Sequence, residues 1–166
     1  DIYIVKYSTF FDNKVTVRGG AFDGVNIKAV QLLGCNITRN KANGESGGAI
    51  NLRTVSRLII LNSQHFNNTC RSFGGAIFIE FLSHLTITNC KFQWNLAKQS
   101  GGVIALMHSE VIEIKNSQFF INKAKQSGGC LFIRGRSAIH IRLANFWQNI
   151  ALEGGAISTS TAPFFS

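Results

Sequence analysis

Six glycine pairs divide this chain at a nearly constant interval. They begin at Gly19, Gly47, Gly74, Gly101, Gly128 and Gly154, so the steps are 28, 27, 27, 27 and 26 residues. The letters around them repeat too: NLAKQSGGVI at 95–104 returns as NKAKQSGGCL at 122–131. Self-similarity at a fixed period of this length marks a solenoid or an array, whose unit cannot bury its apolar face without a neighbour. A second mark precedes each pair by five to seven residues: Phe10 with Asn13, Ile37 with Asn40, Phe92 with Asn95, Phe119 with Asn122 and Phe146 with Asn149. In the remaining repeat Phe66 holds the aromatic place and Thr69 stands where Asn is expected.

Between each glycine pair and the next aromatic, the apolar residues alternate with period two, as LTITN, IEIKN and IHIRL show. One side carries Tyr3, Val30, Leu58, Leu85, Ile112 and Ile139, then Val5, Leu32, Ile60, Ile87, Ile114 and Ile141. The other carries Thr86, Glu113, His140, Thr88, Lys115 and Arg142. Such alternation puts one side of a strand on a core and the other in water. A second strand follows each glycine pair, with Ile50, Ile77, Ile104 and Leu131 in one column and Leu52, Ile79, Leu106 and Ile133 in the next. One proline, sixteen glycines and many asparagines suit strands joined by tight turns. The three-and-four spacing of a helical repeat is missing.

The pattern predicts an all-β parallel β-helix, a solenoid with about 27 residues per coil and about six coils. Equivalent residues then stack roughly 4.8 Å apart, in a rod on the order of 29 Å long. Aligned coils explain the repeated Phe and Asn, which suit aromatic stacks and amide ladders; Asn62, Asn89 and Asn116 form another such column, broken by Leu143. A β-propeller is the alternative, but its blades need about 40 residues and four strands.

By length, residues 1–166 form a single domain, and 45% hydrophobic content is ample for a core. No stretch approaches the roughly 20 apolar residues of a transmembrane helix, and no signal peptide opens the chain. DIYIVKY already lies in a core strand, which suggests a fragment or a processed product; the final STSTAPFFS is the start of a cap or simply where the piece stops. Of the cysteines, Cys35 and Cys90 share a column with Ser8, Ser63 and Ser117 two coils apart, too far to bridge. Cys130 falls in an Ala column and Cys70 in an irregular turn, so all four are expected as free thiols that leave the compartment open. The sequons at Asn36 and Asn67 would permit glycosylation in a eukaryotic secretory route.

Together, GGAI at 47–50, 74–77 and 154–157 and FxxN at Phe10, Phe92, Phe119 and Phe146 resemble the repeats of the chlamydial polymorphic membrane proteins. Ile37 and Thr69 depart from the pattern. The resemblance covers nearly the whole chain and implies a right-handed single-stranded parallel β-helix of the pectin lyase-like kind. It also implies an autotransporter-like adhesin passenger at a cell surface or outside the cell, associated with the outer membrane if bacterial.

An enzyme on such a scaffold would need clustered carboxylates or an acid and base pair. The eight acids are scattered, and Glu110 in a turn and Glu113 facing solvent are the nearest pair. No catalytic residue, cofactor site or metal site is therefore assigned. His65, His84, His108 and His140 share no column and are expected in turns or solvent. Nothing resembling a phosphate loop follows the glycine pairs.

Charge is more informative, because 17 Lys and Arg against 8 acids leave +9. Stacking places Lys115 beside Arg142 and Lys98 beside Lys125. These ladders are either solvated surface or an anion-binding stripe for an acidic glycan, an anionic membrane or an acidic protein. Nucleic acid is not expected, since aromatic and basic residues do not interleave. On the post-glycine strand, Phe78 and Phe132 face away from Ile77 and Leu131, and such an apolar stripe is either covered by a loop or buried on a partner. The expectation is that Phe78 and Phe132 contact another chain or a neighbouring domain. Adhesion is the first reading of function. The others are an extracellular filament or coat self-associating through that stripe, and a carbohydrate-active enzyme.

Overall fold

The computed structural model describes residues 1–161. Every strand pairing in it is parallel, and each strand pairs with its counterpart one repeat away. Three sheets run the length of the rod as the three faces of a parallel β-helix with about six coils.

The long face is built from strands such as Ile50–Leu61, or from two shorter pieces such as Ile104–Met107 and Ser109–Lys115 that meet at a bend. The second face consists of three-residue strands, among them Lys91–Gln93 and Gln118–Phe120. The third has two-residue strands such as Leu96–Ala97 and Lys123–Ala124.

Left-handed backbone turns the chain at each corner. After the long face it falls on Gly34, Asn62, Asn89, Asn116 and Leu143, with φ between 48° and 65° for that column including Tyr7. The column of Asn62, Asn89 and Asn116 is therefore a corner; Asn89 Nδ2 donates to Asn62 Oδ1 across 3.2 Å. At the glycine corner both members of the pair have a reason to lack a side chain. The first has positive φ, as at Gly74 (69°) and Gly101 (70°). A Cβ on the second would strike the equivalent glycine of the next coil, Gly75 against the Gly102 carbonyl and Gly102 against that of Gly129.

The core is stacked as the alternation predicts. Leu85 pairs with Leu58 and Ile112, and Ile87 with Ile60 and Ile114; all are 1% exposed or less. Phe92, Phe119 and Phe146 stack face to face at 4.8 and 4.6 Å. The third face carries small residues inward, Ala42, Cys70, Ala97 and Ala124. Cys70 is thus not in an irregular turn but in a strand, as the small residue of an alanine column. All four cysteines are free and buried. Burial pushes the Cys90 thiol up to about 11 and raises those of Cys70 and Cys130.

Two further expectations need correction. His65, not Phe66, occupies the inward aromatic place, pairing with Ile37 and Phe92, and Asn68, not Thr69, occupies the Asn place. The ladder Asn13–Asn40–Asn68–Asn95–Asn122–Asn149 is therefore continuous. One extra residue in the turn after Lys41–Ala42 lengthens every pairing across it to 28 residues, from Phe22–Ile50 through Ile37–His65 to Lys41–Thr69. Phe66 points outward and meets Trp94 edge to face at 4.9 Å. His65 is fully buried, stacked on Phe92 at 4.9 Å, instead of lying in a turn or in solvent. At the C-terminal end Ser158–Ser160 pair with Phe132–Arg134, and residues 162–166 of the terminal segment lie outside the described residues.

Candidate binding site

Because Leu58, Leu85 and Ile112 and then Ile60, Ile87 and Ile114 point inward, the residues between them form an outward grid on the long face. One outward row runs Gln31, Ile59, Thr86, Glu113, His140; the next runs Leu33, Leu61, Thr88, Lys115, Arg142. Lys115 and Arg142 are thus backbone partners on adjacent coils, both exposed. Among the described residues neither forms an ion pair. The Glu113 carboxylate lies instead 3.4 Å from His84 Nε2, so the cations remain available to a ligand.

Three open hollows mark this face. One of about 350 Å³ is bounded by Thr86, Glu113, Lys115, His140 and Arg142. A second, of about 460 Å³, lies among Lys28, Gln31, Arg57, His84 and Glu110. The third is a trough of about 350 Å³ at the bend, reaching from Thr54 and Ser56 past Phe81 and Ser83 to Glu110 and Arg136. Its walls were not legible as a site, because the bend interrupts the period-two pattern. The signal available was the apolar Phe81 in a place occupied by Thr54 and His108 in the flanking repeats. Glu110 itself lies on the strand Ser109–Lys115 rather than in the preceding turn. Across the three hollows Lys28, Arg57, Lys115, Arg136 and Arg142 face Glu110 and Glu113, leaving a surplus of positive charge.

Lys98 and Lys125 lie elsewhere. They follow the in-register pair Ala97 and Ala124, exposed at the corner between the third face and the glycines. Lys123, also exposed, stands beside them. The four predicted cations therefore form two separate patches, and only Lys115 and Arg142 belong to the grooved face.

Phe78 and Phe132 are not in water. They are 9% and 6% exposed, packed with Ala105 and Met107 under the ring of Phe73. Phe73 lies 6.4 Å from Phe78 and 6.3 Å from Phe132, and the Arg134 guanidinium sits 5.7 Å over the Phe132 ring. The covering residue is the one before the glycine pair, which folds back over the strand it precedes. Arg18 does the same to Asp23 through an ion pair at 3.3 Å, and Ser46 Oγ donates to Asn51 Oδ1 at 2.7 Å. The expectation that Phe78 and Phe132 form an exposed contact stripe is thus corrected: Phe73, five residues before Phe78, covers both rings.

Residues 2–146 match the family model described as a right-handed beta helix region. Comparisons with curated proteins and with solved structures found no match.

Proposed function

The chain belongs to the right-handed β-helix family, and we propose that it is a binding module of a surface-displayed or extracellular protein, whose grooved long face holds an extended anionic ligand. An acidic glycan suits that face best. The observation that carries this reading is the in-register pair Lys115–Arg142, unpaired with acid among the described residues and flanked by hollows lined with Lys28, Arg57 and Arg136. A stacked backbone fixes the spacing of their Cα atoms, so binding need order only the side chains and the ligand. Adhesion is the role such a module serves. The apolar patch through which a coat would join rods side by side is covered by Phe73, which favours the binding module over the coat.

The test is titration with polygalacturonate at low and high salt. Affinity should fall with salt, because exposed charges are screened. Lys115→Glu with Arg142→Glu should abolish binding, while Lys98→Glu with Lys125→Glu should leave most of it. Salt-independent binding, or loss caused only by the second pair, would overturn the assignment to this face.

A further inference from the structure

We propose that the corner between the second and third faces is a docking surface for an anionic lipid bilayer, which the rod meets side-on with its axis in the plane of the membrane. This corner is separate from the grooved long face, and the proposal is independent of the reading given for that face.

Because His65, Phe92, Phe119 and Phe146 point inward, the residues after them form an outward row in register, Phe66, Gln93, Phe120 and Trp147. The next position is the corner itself, where Asp12, Arg39, Asn67, Trp94, Ile121 and Gln148 all have left-handed backbone, with φ between 51° and 58°. Phe66, Trp94, Phe120, Ile121 and Trp147 thus make an apolar ridge over four successive coils. Its rings pack edge to face, Phe66 on Trp94 at 4.9 Å and Phe120 on Trp147 at 6.2 Å. Trp94, in mid-rod, is nevertheless 47% exposed. Folding does not ask for these residues. Asn is at home in left-handed backbone, and it fills this corner at Asn67 and the other corner at Asn62, Asn89 and Asn116. A β-branched Ile121 at 51° and a bulky Trp94 at 56° are strained there. Strain spent on putting apolar groups at a convex edge points to something outside the chain that they meet.

The charge beside the ridge has one sign. Strands of the second and third faces carry Lys14, Lys41, Lys91 and Lys123 and no acid. The corner between them adds Arg39 and one acid, Asp12, which is paired with Lys14 at 3.3 Å. Among the described residues Arg39, Lys41, Lys91 and Lys123 form no ion pair, and Lys91 Nζ lies 5.9 Å over the ring of Phe120. Indole and phenyl rings settle at the headgroup level of a bilayer, while flanking lysines reach its anionic groups with their stems along the apolar edge. A second copy joined through the same ridge would set these cations against their own kind. A bilayer supplies both the complementary charge and a deformable apolar medium for a convex edge.

The test is co-sedimentation with vesicles of equal parts phosphatidylglycerol and phosphatidylcholine, and with phosphatidylcholine alone, alongside tryptophan emission. The chain should bind the anionic vesicles with a blue shift, more weakly at high salt, and bind the neutral ones poorly. Trp94→Asn with Ile121→Asn relieves the corner, so the thermal midpoint should stay at or above the parent's while vesicle affinity falls roughly tenfold. Lys91→Glu with Lys123→Glu should remove the preference for anionic lipid, whereas Lys115→Glu with Arg142→Glu on the long face should leave the blue shift in place. Absence of vesicle binding would overturn the proposal, as would binding indifferent to the Trp94 and Ile121 substitutions or lost only with Lys115 and Arg142. Binding of soluble polyglutamate through the same residues without binding to vesicles would assign the corner to an acidic protein instead, and a dimer abolished by Trp94→Asn would assign it to a second copy.

Discussion

Asn68 donates both its backbone N–H and its Nδ2 to the side-chain oxygen of Asn95, at 3.0 and 3.1 Å. Asn95 repeats the act on Asn122 and sends Nδ2 also to the His65 carbonyl at 2.9 Å. The Asn95 side chain thus satisfies two backbone groups of the preceding coil, the Asn68 N–H and the His65 carbonyl, inside a buried corner, which an apolar residue cannot do. Asn95→Ala should cost about 3–5 kcal/mol, because it strands several buried donors and acceptors at once. Urea denaturation measures it; a loss under about 1 kcal/mol would mean that water replaces the amide.

His65 is the defect in the aromatic column. Nδ1 and Nε2 are both buried without a partner, and burial pulls the imidazole from 6.5 down to about 3. Between those values the unfolded chain binds a proton that the native state refuses. Stability is therefore unaffected by this group above about 6.5 and falls as pH drops toward about 3, by up to ~1.4 kcal/mol per pH unit. His65→Phe should flatten that slope and add about 1–2 kcal/mol at neutral pH. Denaturant melts at neutral and mildly acidic pH decide it; an unchanged slope would place the responsible proton elsewhere.

The glycine corner and the asparagine corner should differ sharply in tolerance. Gly102→Ala drives a Cβ into the Gly129 carbonyl and against the Lys123 backbone at 2.8 Å, so a loss of about 3 kcal/mol or more is expected. Gly34→Asn places a residue at home in left-handed backbone into the column of Asn62 and Asn89, where the nearest atoms to its Cβ belong to the exposed ring of Tyr7, at 2.8 Å, which is free to swing aside. Its thermal midpoint should stay near that of the parent.

Removing the Phe73 cover should expose Phe78, Ala105 and Phe132 together. Phe73→Ser is expected to destabilise by about 2 kcal/mol and to promote self-association, read by sedimentation and by binding of an apolar dye. A monomeric variant that binds no dye would show that the patch closes without Phe73.

Where an argument needed only the period, the sequence was sufficient. Leu85, Ile87, Ile112 and Ile114 stack as the alternation requires, and Cys130 packs as a small residue beside its alanine column. Two kinds of relation escaped it. One extra residue in a turn moved His65 and Asn68 into places assigned to Phe66 and Thr69, because composition marks Phe as the better core residue and cannot locate the insertion. Cover from outside the sheet was equally hidden: that Phe73 closes over Phe78 depends on the chain folding back before the glycine pair. The matched partners Arg18 with Asp23 and Ser46 with Asn51 carried that signal five residues apart. Likewise the trough exists only because the strand bends at Thr54 and His108, whose left-handed backbone no alternation rule foresees.

The most direct measurement is an amide NMR titration of the folded chain with hexagalacturonate. The account predicts shifts concentrated on the long-face exterior, at Ser56, Ser83, Glu110, Lys115 and Arg142, with Lys98 and Lys125 silent. Shifts confined to the Lys98–Lys125 corner, or spread evenly over all three faces, would contradict it.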